Sequence, residues 1–108
     1  MELYTAVSYE LAEKLKKRYS TSFSMSSQLF PSSIRPAIYA IYGMVRIADE
    51  IVDTYKGTDA LALLNRFEAD IESSRSNPSG YSANPIIPAF VDTAKKYDIP
   101  SELTAPFF

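Results

Sequence analysis

Hydrophobic residues recur every three or four positions along most of this chain, which is the spacing of one face of an α-helix. The first such stretch runs from about Thr5 to Arg18 and sets Val7, Leu11 and Leu15 in one row. No stretch shows the strict alternation of a half-buried strand. The pattern therefore predicts an all-α protein whose first helix packs through that row.

Two longer helical stretches follow. The second is expected over about 36–55, with Gly57 as its C-terminal stop. The third opens at Thr58 and Asp59, and its apolar face is predicted to be Leu61, Leu64, Phe67 and Ile71.

A loop and a final helix complete the pattern. Residues 73–83 are rich in Ser, Asn, Pro and Gly, which predicts a loop. A fourth helix is expected to start at Asn84 and Pro85, or near Pro88, and to end at the break before Pro100. The residues expected on its apolar face are Phe90, Val91, Ala94 and Tyr97.

The second helical stretch carries two adjacent rows of side chains. The apolar row has the composition of a core contact and consists of Ile38, Ile41, Val45, Ala48 and Val52. The polar row follows the spacing four, three, four and consists of Tyr42, Arg46, Asp49 and Asp53. Because the two rows are neighbours, we expect the acidic residues to border the interior.

The pair Asp49 and Asp53 is the main candidate for chemistry. Carboxylates one helical turn apart repel each other, so their presence suggests a cation between them. Mg²⁺ is commonly held by one or two carboxylates together with substrate phosphate oxygens. The alternative is an ordinary acidic pair on a solvated face. Arg46 likewise has two roles open to it, an ion pair with Asp49 or Glu50 or a fork for phosphate oxygens.

Composition narrows the classes of function. The chain has 108 residues, 46% of them hydrophobic, which fits one small globular domain over 1–108. A net charge of −2 argues against nucleic acid as a partner. The chain contains neither Cys nor His, which removes thiolate chemistry, imidazole catalysis and zinc-type sites. No signal peptide or membrane span is evident in the sequence, so a cytoplasmic location is the expectation.

Two segments together resemble a known family. The run Tyr19-Ser20-Thr21-Ser22-Phe23, followed by the helix that carries Tyr42, Arg46, Asp49 and Asp53, is similar to the N-terminal part of the squalene and phytoene synthases. These are all-helical enzymes that join prenyl diphosphates head to head. The resemblance implies an orthogonal helical bundle, the N-terminal part of an isoprenoid synthase fold.

The resemblance also implies roles for individual residues. Asp49 and Asp53 match the carboxylates that hold Mg²⁺ against a prenyl diphosphate. The remaining matches are positions near the diphosphate or the hydrocarbon, namely Arg46, Tyr42, Ser20, Ser22 and Phe23. Each aromatic or hydroxyl residue has a structural alternative, which is core packing for Phe23 and Tyr42 and capping for Ser20 and Ser22. Tyr19 stands where many relatives carry His, so no imidazole role transfers to it.

The implied reaction is Mg²⁺-dependent condensation of two farnesyl or geranylgeranyl diphosphates to phytoene, squalene or dehydrosqualene. The family's second aspartate-rich motif does not occur after Asp53. We therefore expect an N-terminal fragment of a longer enzyme, inactive without the remaining helices. Two alternatives stay open, a phosphatase or cyclase of the same fold that acts on one prenyl diphosphate and a helical interaction module without catalysis. Because the implied product is oily, the resemblance also suggests transient contact with membranes.

Overall fold

Helices account for nearly all the regular structure in the described part of the chain. The computed structural model describes residues 2–19, 25–54, 58–77 and 82–100. In order, these contain α1 (Leu3–Tyr19), a short 3-10 helix (Ser27–Leu29), α2 (Arg35–Thr54), α3 (Thr58–Ser76) and α4 (Ile87–Lys96). No strand occurs within those ranges, so the all-α prediction is confirmed.

The predicted helix boundaries are accurate for α1 and α2 and less so later. The third helix starts at Thr58 as predicted but continues to Ser76, so the first residues of the predicted loop are helical. Gly57, the predicted stop of α2, lies outside the described residues. The last helix follows the second of the two predicted starts, with Pro88 in its first turn.

The buried face of α1 differs from the predicted one. Val7, Leu11 and Leu15 are only partly buried, although Leu11 and Leu15 do pack against the core. The buried positions of α1 are each one residue further along the chain, at Ser8, Ala12 and Lys16.

The predicted core row of α2 is only partly correct, since Ala48 lies in the core and Val45 packs against it but is half-buried. Of its five residues only Ala48 is buried, whereas Ile41 is 37% exposed and Val52 is 50% exposed. The buried face of α2 consists of Tyr39, Ala40, Gly43, Met44 and Ala48.

Small side chains explain both differences. Ala12 on α1 and Gly43 on α2 allow the two helices to approach closely, since a Cβ atom built on Gly43 would lie 3.3 Å from the Cβ of Ala12. Interior packing selects the face that allows the densest contact and does not simply select the largest hydrophobic residues. Ile41 and Val52 are consequently left exposed on the other side of α2, whereas Ile47 and Ile51 still pack against the core.

The second half of the core follows the sequence pattern more closely. Leu64, Phe67 and Ile71 of α3 are buried, as predicted, but Leu61 is 61% exposed. On α4 the predicted Tyr97 is 48% exposed because it follows the end of the helix. The buried residues of α4 include the three other predicted ones, Phe90, Val91 and Ala94.

Side chains of α1 also fix the position of α4. The N-cap residue of α4, Ile86, makes no side-chain capping bond. Instead, the backbone N–H of Ala89 in the first turn donates to Oγ of Ser8 at 2.9 Å, and this bond is buried. Tyr9 adds a second link, with its hydroxyl donating to Oδ2 of Asp92 at 2.7 Å. The bond to Ser8 satisfies one of the free donors that every helix N-terminus leaves.

Candidate functional site

One face of α2, which we call the outer face, lies opposite its buried face. Each member has another member three or four residues away, so together they line up along one side of the helix. The outer face consists of Ile38, Ile41, Tyr42, Val45, Asp49, Val52 and Asp53. It therefore contains most of the predicted apolar row and nearly all of the predicted polar row, side by side as expected.

The outer face holds a cavity at its N-terminal half. The cavity has a volume of about 270 Å³ and is lined by Ile38, Ile41, Tyr42 and Val45. Asp49 is one turn beyond Val45 on the same side of the helix. An apolar pocket is thus followed along the helix by a pair of carboxylates.

The expectation that the acidic pair borders the interior is wrong for the described chain. Asp49 and Asp53 are both exposed. The reason is that α2 packs on α1 and α4 through its small residues, which turns the acidic row away from that core. Neither carboxylate forms an ion pair or hydrogen bond with another residue in the described ranges. No group of three or more acidic side chains suited to a metal ion occurs among those residues.

Arg46 lies at the edge of the outer face and is engaged on two sides. Its Nη2 donates to Oε2 of Glu50 at 2.6 Å, so the ion-pair alternative from the sequence is the one observed, with Glu50 as the partner. The guanidinium Cζ also lies 4.4 Å from the ring centroid of Tyr19. The hydrogen bond lowers the pKa of Glu50 and raises the pKa of Arg46. Both groups therefore keep their charges over an extended pH range.

The remaining predicted site residues have different outcomes. Tyr42 is half-buried and lines the outer-face cavity, where it lies beside aliphatic residues. Ser20, Ser22 and Phe23 lie outside the described residues. The contact of Tyr19 with Arg46 was not predicted, because only the packing of α1 on α2 brings the two residues together.

A buried lysine lies apart from the outer face. Lys16 is 1% exposed, and its Nζ lies 3.9 Å from the ring centroid of Tyr39. Burial alone would raise the pKa of the Tyr39 phenol, but hydrogen bonds with Ser27 and Lys16 outweigh it and lower that pKa. This cluster joins α1 to α2 and to the 3-10 helix, and we assign it a structural role.

A larger cavity lies on another side of the molecule. It has a volume of about 620 Å³ and is lined by the second half of α1, by Ile47 of α2 and by residues 84–86. Ile47 projects away from the outer face, so this cavity does not adjoin Asp49 or Asp53. The larger volume of this cavity does not by itself connect it with the acidic pair.

Sequence comparison identifies the family to which this arrangement belongs. The profile of the family described as squalene/phytoene synthase matches residues 16–107, which include all of α2 and its acidic pair. The chain belongs to the squalene/phytoene synthase family. The resemblance noted from its motifs is thereby confirmed, and with it the all-α fold class.

Two curated relatives show the extent of the similarity. The chain is 32% identical over 91 residues to 4,4'-diapophytoene synthase of Staphylococcus haemolyticus (strain JCSC1435), which covers 84% of this chain and 32% of that protein. It is 33% identical over 93 residues to phytoene synthase of Arthrospira platensis, covering 85% of this chain and 29% of the relative. The chain thus spans about a third of the length of these relatives. No solved structure matches it.

Within the described ranges, no helix combines the length and the apolar character needed to cross a bilayer.

Proposed function

We propose that the outer face of α2 forms one wall of a site for Mg²⁺ and a prenyl diphosphate, in a protein that condenses two such molecules head to head. The observation that carries this proposal is the succession, along one helix face, of an apolar cavity and two exposed carboxylates that form no ion pair or hydrogen bond among the described residues. A prenyl diphosphate has the same succession of an apolar chain and an anionic head. Membership of the squalene/phytoene synthase family supports the assignment.

In this proposal the carboxylates of Asp49 and Asp53 hold Mg²⁺. Oxygen ligands suit this hard cation, and two carboxylates leave positions for water and phosphate oxygens. When bound, Mg²⁺ neutralises negative charge on the departing diphosphate and lowers the barrier to its release. The guanidinium of Arg46 adds positive charge at the edge of the same face.

The apolar half of the outer face binds the hydrocarbon in this proposal. Ile38, Ile41 and Val45 offer aliphatic contacts that exclude water, and the ring of Tyr42 offers a polarizable surface beside the reacting end. Ser20 and Ser22 are assigned to the phosphates and Phe23 to the hydrocarbon, as the family resemblance implies. These three assignments stay predictions.

The complete reaction needs more acidic residues than this face supplies. We propose that a second acidic motif, provided from outside these 108 residues, completes the metal site, and that the chain alone does not condense farnesyl or geranylgeranyl diphosphate. Cytoplasmic location and transient contact with membranes also stay predictions.

Calorimetric titration with inorganic pyrophosphate, with and without Mg²⁺, tests the site in the chain as it exists. We expect binding that requires Mg²⁺ and that Asp49→Asn or Asp53→Asn weakens by about tenfold or more. Asp70→Asn is the matched control, because Asp70 is an exposed helical carboxylate on a different helix, α3. Its binding should equal that of the unsubstituted chain.

The same variants separate the alternatives. A helical interaction module predicts that Asp49→Asn with Asp53→Asn raises the melting temperature, through loss of repulsion, and leaves pyrophosphate binding absent in every variant. Steady release of diphosphate from farnesyl diphosphate by the 108-residue chain would instead favour a phosphatase or cyclase. Either result would contradict the proposed function.

A further inference from the structure

Contacts on two sides hold the guanidinium of Arg46 in place. On one side Glu50 accepts from its Nη2 at 2.6 Å. The other carboxylate oxygen of Glu50 accepts from the hydroxyl of Thr54 at 3.0 Å. The carboxylate that orients Arg46 is therefore itself oriented, and all three residues belong to α2.

The second constraint on Arg46 comes from a different helix. Tyr19 is the last residue of α1, and its ring lies against the guanidinium with 4.4 Å between Cζ and the ring centroid. The ring is 46% exposed, so it does not serve as a core residue. Arginine stacks well on aromatic faces because its planar cation is weakly hydrated.

The Tyr19 ring and the Glu50 carboxylate together limit the exposure of the Arg46 guanidinium to solvent. Its Nε is buried and has no hydrogen-bond partner among the described residues. A guanidinium stacked on one face and bonded at one corner has lost most of the freedom that a lysine or a free arginine would keep. Preorganised charge of this kind costs no reorientation when an anion arrives.

We propose that Tyr19 and Glu50 are positioning residues that hold the Arg46 guanidinium at the edge of the outer face, ready for a diphosphate oxygen. The inference rests on the proposed function, since it assigns the anion to the same site. It also gives Tyr19 a role that does not require an imidazole, because the contact with Arg46 uses only the face of an aromatic ring. The opposite role for Glu50 is that of a competitor for Arg46, which would weaken anion binding.

The test follows Arg46 and anion binding separately in the 108-residue chain. The ¹⁵N–¹H signal of Arg46 Nε reports the ring contact through its shift, and calorimetry with Mg²⁺ and pyrophosphate reports anion binding. Tyr19→Leu removes the aromatic face, whereas Tyr19→Phe keeps it. Tyr97→Leu is the control, because Tyr97 is 48% exposed at the end of α4 and so matches Tyr19 in exposure.

We expect Tyr19→Leu to shift the Arg46 signal and to weaken pyrophosphate binding by about threefold to tenfold. Tyr19→Phe and Tyr97→Leu should leave both readouts unchanged. Glu50→Ala should weaken binding to a similar degree, as loss of an orienting partner predicts. Circular dichroism of each variant establishes that α1 and α2 remain folded.

Two results would overturn the positioning role. One is equal pyrophosphate affinity in Tyr19→Leu and the unsubstituted chain. The other is tighter binding by Glu50→Ala, which would make Glu50 a competitor for Arg46. Failure of the proposed function gives a different pattern, in which the unsubstituted chain binds no pyrophosphate with Mg²⁺. That pattern also removes the role assigned to Arg46, whatever its signal shows.

Discussion

Gly43 on α2 lies directly against Ile86, so that a Cβ atom built at position 43 would come within 3.0 Å of Cδ1 of Ile86. The Cγ1 atom of Ile86 would be 3.2 Å away, and the Cβ of Ala12 on α1 3.3 Å away. Glycine inside a helix normally lowers helix stability relative to alanine. Here the missing side chain lets α1 and the start of α4 pack against the same point of α2.

The first prediction concerns Gly43→Ala. Alanine improves intrinsic helix stability by about 1 kcal/mol. Added volume in a packed core costs about 1–3 kcal/mol. We expect a net loss of about 1 kcal/mol in the free energy of unfolding, measured by urea denaturation. Gly43→Leu, which cannot be accommodated by a small shift of Ile86, should lose about 3 kcal/mol or more.

Ile86→Val supplies the control for this prediction because it removes the Cδ1 atom. In that background Gly43→Ala should cost less than in the unsubstituted chain, which gives a coupling energy of about 1 kcal/mol. Equal costs in both backgrounds would mean that the contact with Ile86 does not limit position 43.

The second prediction concerns Ser8→Ala. Ser8 and Ala89 are both fully buried, and the serine hydroxyl is the acceptor for the N–H of Ala89. Leaving a buried donor without a partner costs about 1–3 kcal/mol. We expect that loss in urea denaturation of Ser8→Ala. Ser73→Ala, at an exposed position of α3, should change stability by less than about 0.5 kcal/mol. Similar effects of the two substitutions would contradict the role of Ser8.

The third prediction concerns alkaline pH and Tyr9. Burial raises the pKa of the Tyr9 phenol well above its ordinary value, with the contact to Asp92 adding to the rise. The folded state then keeps this proton in a range where the unfolded chain has lost it. The stabilising contribution is fully present below the unfolded pKa of about 10 and is lost as the pH rises towards the folded value.

Melting temperatures between neutral and strongly alkaline pH test this sign. Tyr9→Phe should be less stable than the unsubstituted chain near neutral pH, by about 1–3 kcal/mol, because it loses the hydrogen bonds to Asp92 and Thr93. The difference in stability between Tyr9→Phe and the unsubstituted chain should narrow above about pH 10. If the difference in stability between Tyr9→Phe and the unsubstituted chain widened with pH, it would contradict the raised pKa of Tyr9.

Much of the fold could be predicted from periodicity alone. The bounds of α1 and α2, the start of α3 and most of the buried positions of α3 and α4 follow from the spacing of apolar residues. The approximate position of the acidic pair on α2 followed for the same reason. These features depend on residues close together in the chain, where helical geometry fixes which side chains are neighbours.

The orientation of α1 and α2 could not be predicted in this way. Their largest aliphatic rows were expected in the core, yet α1 and α2 meet closely at Ala12 and Gly43. The sequence contains these small residues, but which face of each helix is buried depends on how closely α1, α2 and α4 can approach one another. That choice left Ile41, Val52 and the acidic pair exposed together.

The amino-acid sequence by itself determined the helical class, the family and the spacing of Asp49 and Asp53, because each of these follows from the order and spacing of residues that are close together in the chain. Only the tertiary structure decided that Arg46 pairs with Glu50 and stacks on Tyr19, and that the carboxylates lie on an outer face beside an apolar cavity. Such contacts join residues of different helices or select one of several local partners. They are settled by close packing between helices, which helical periodicity does not encode.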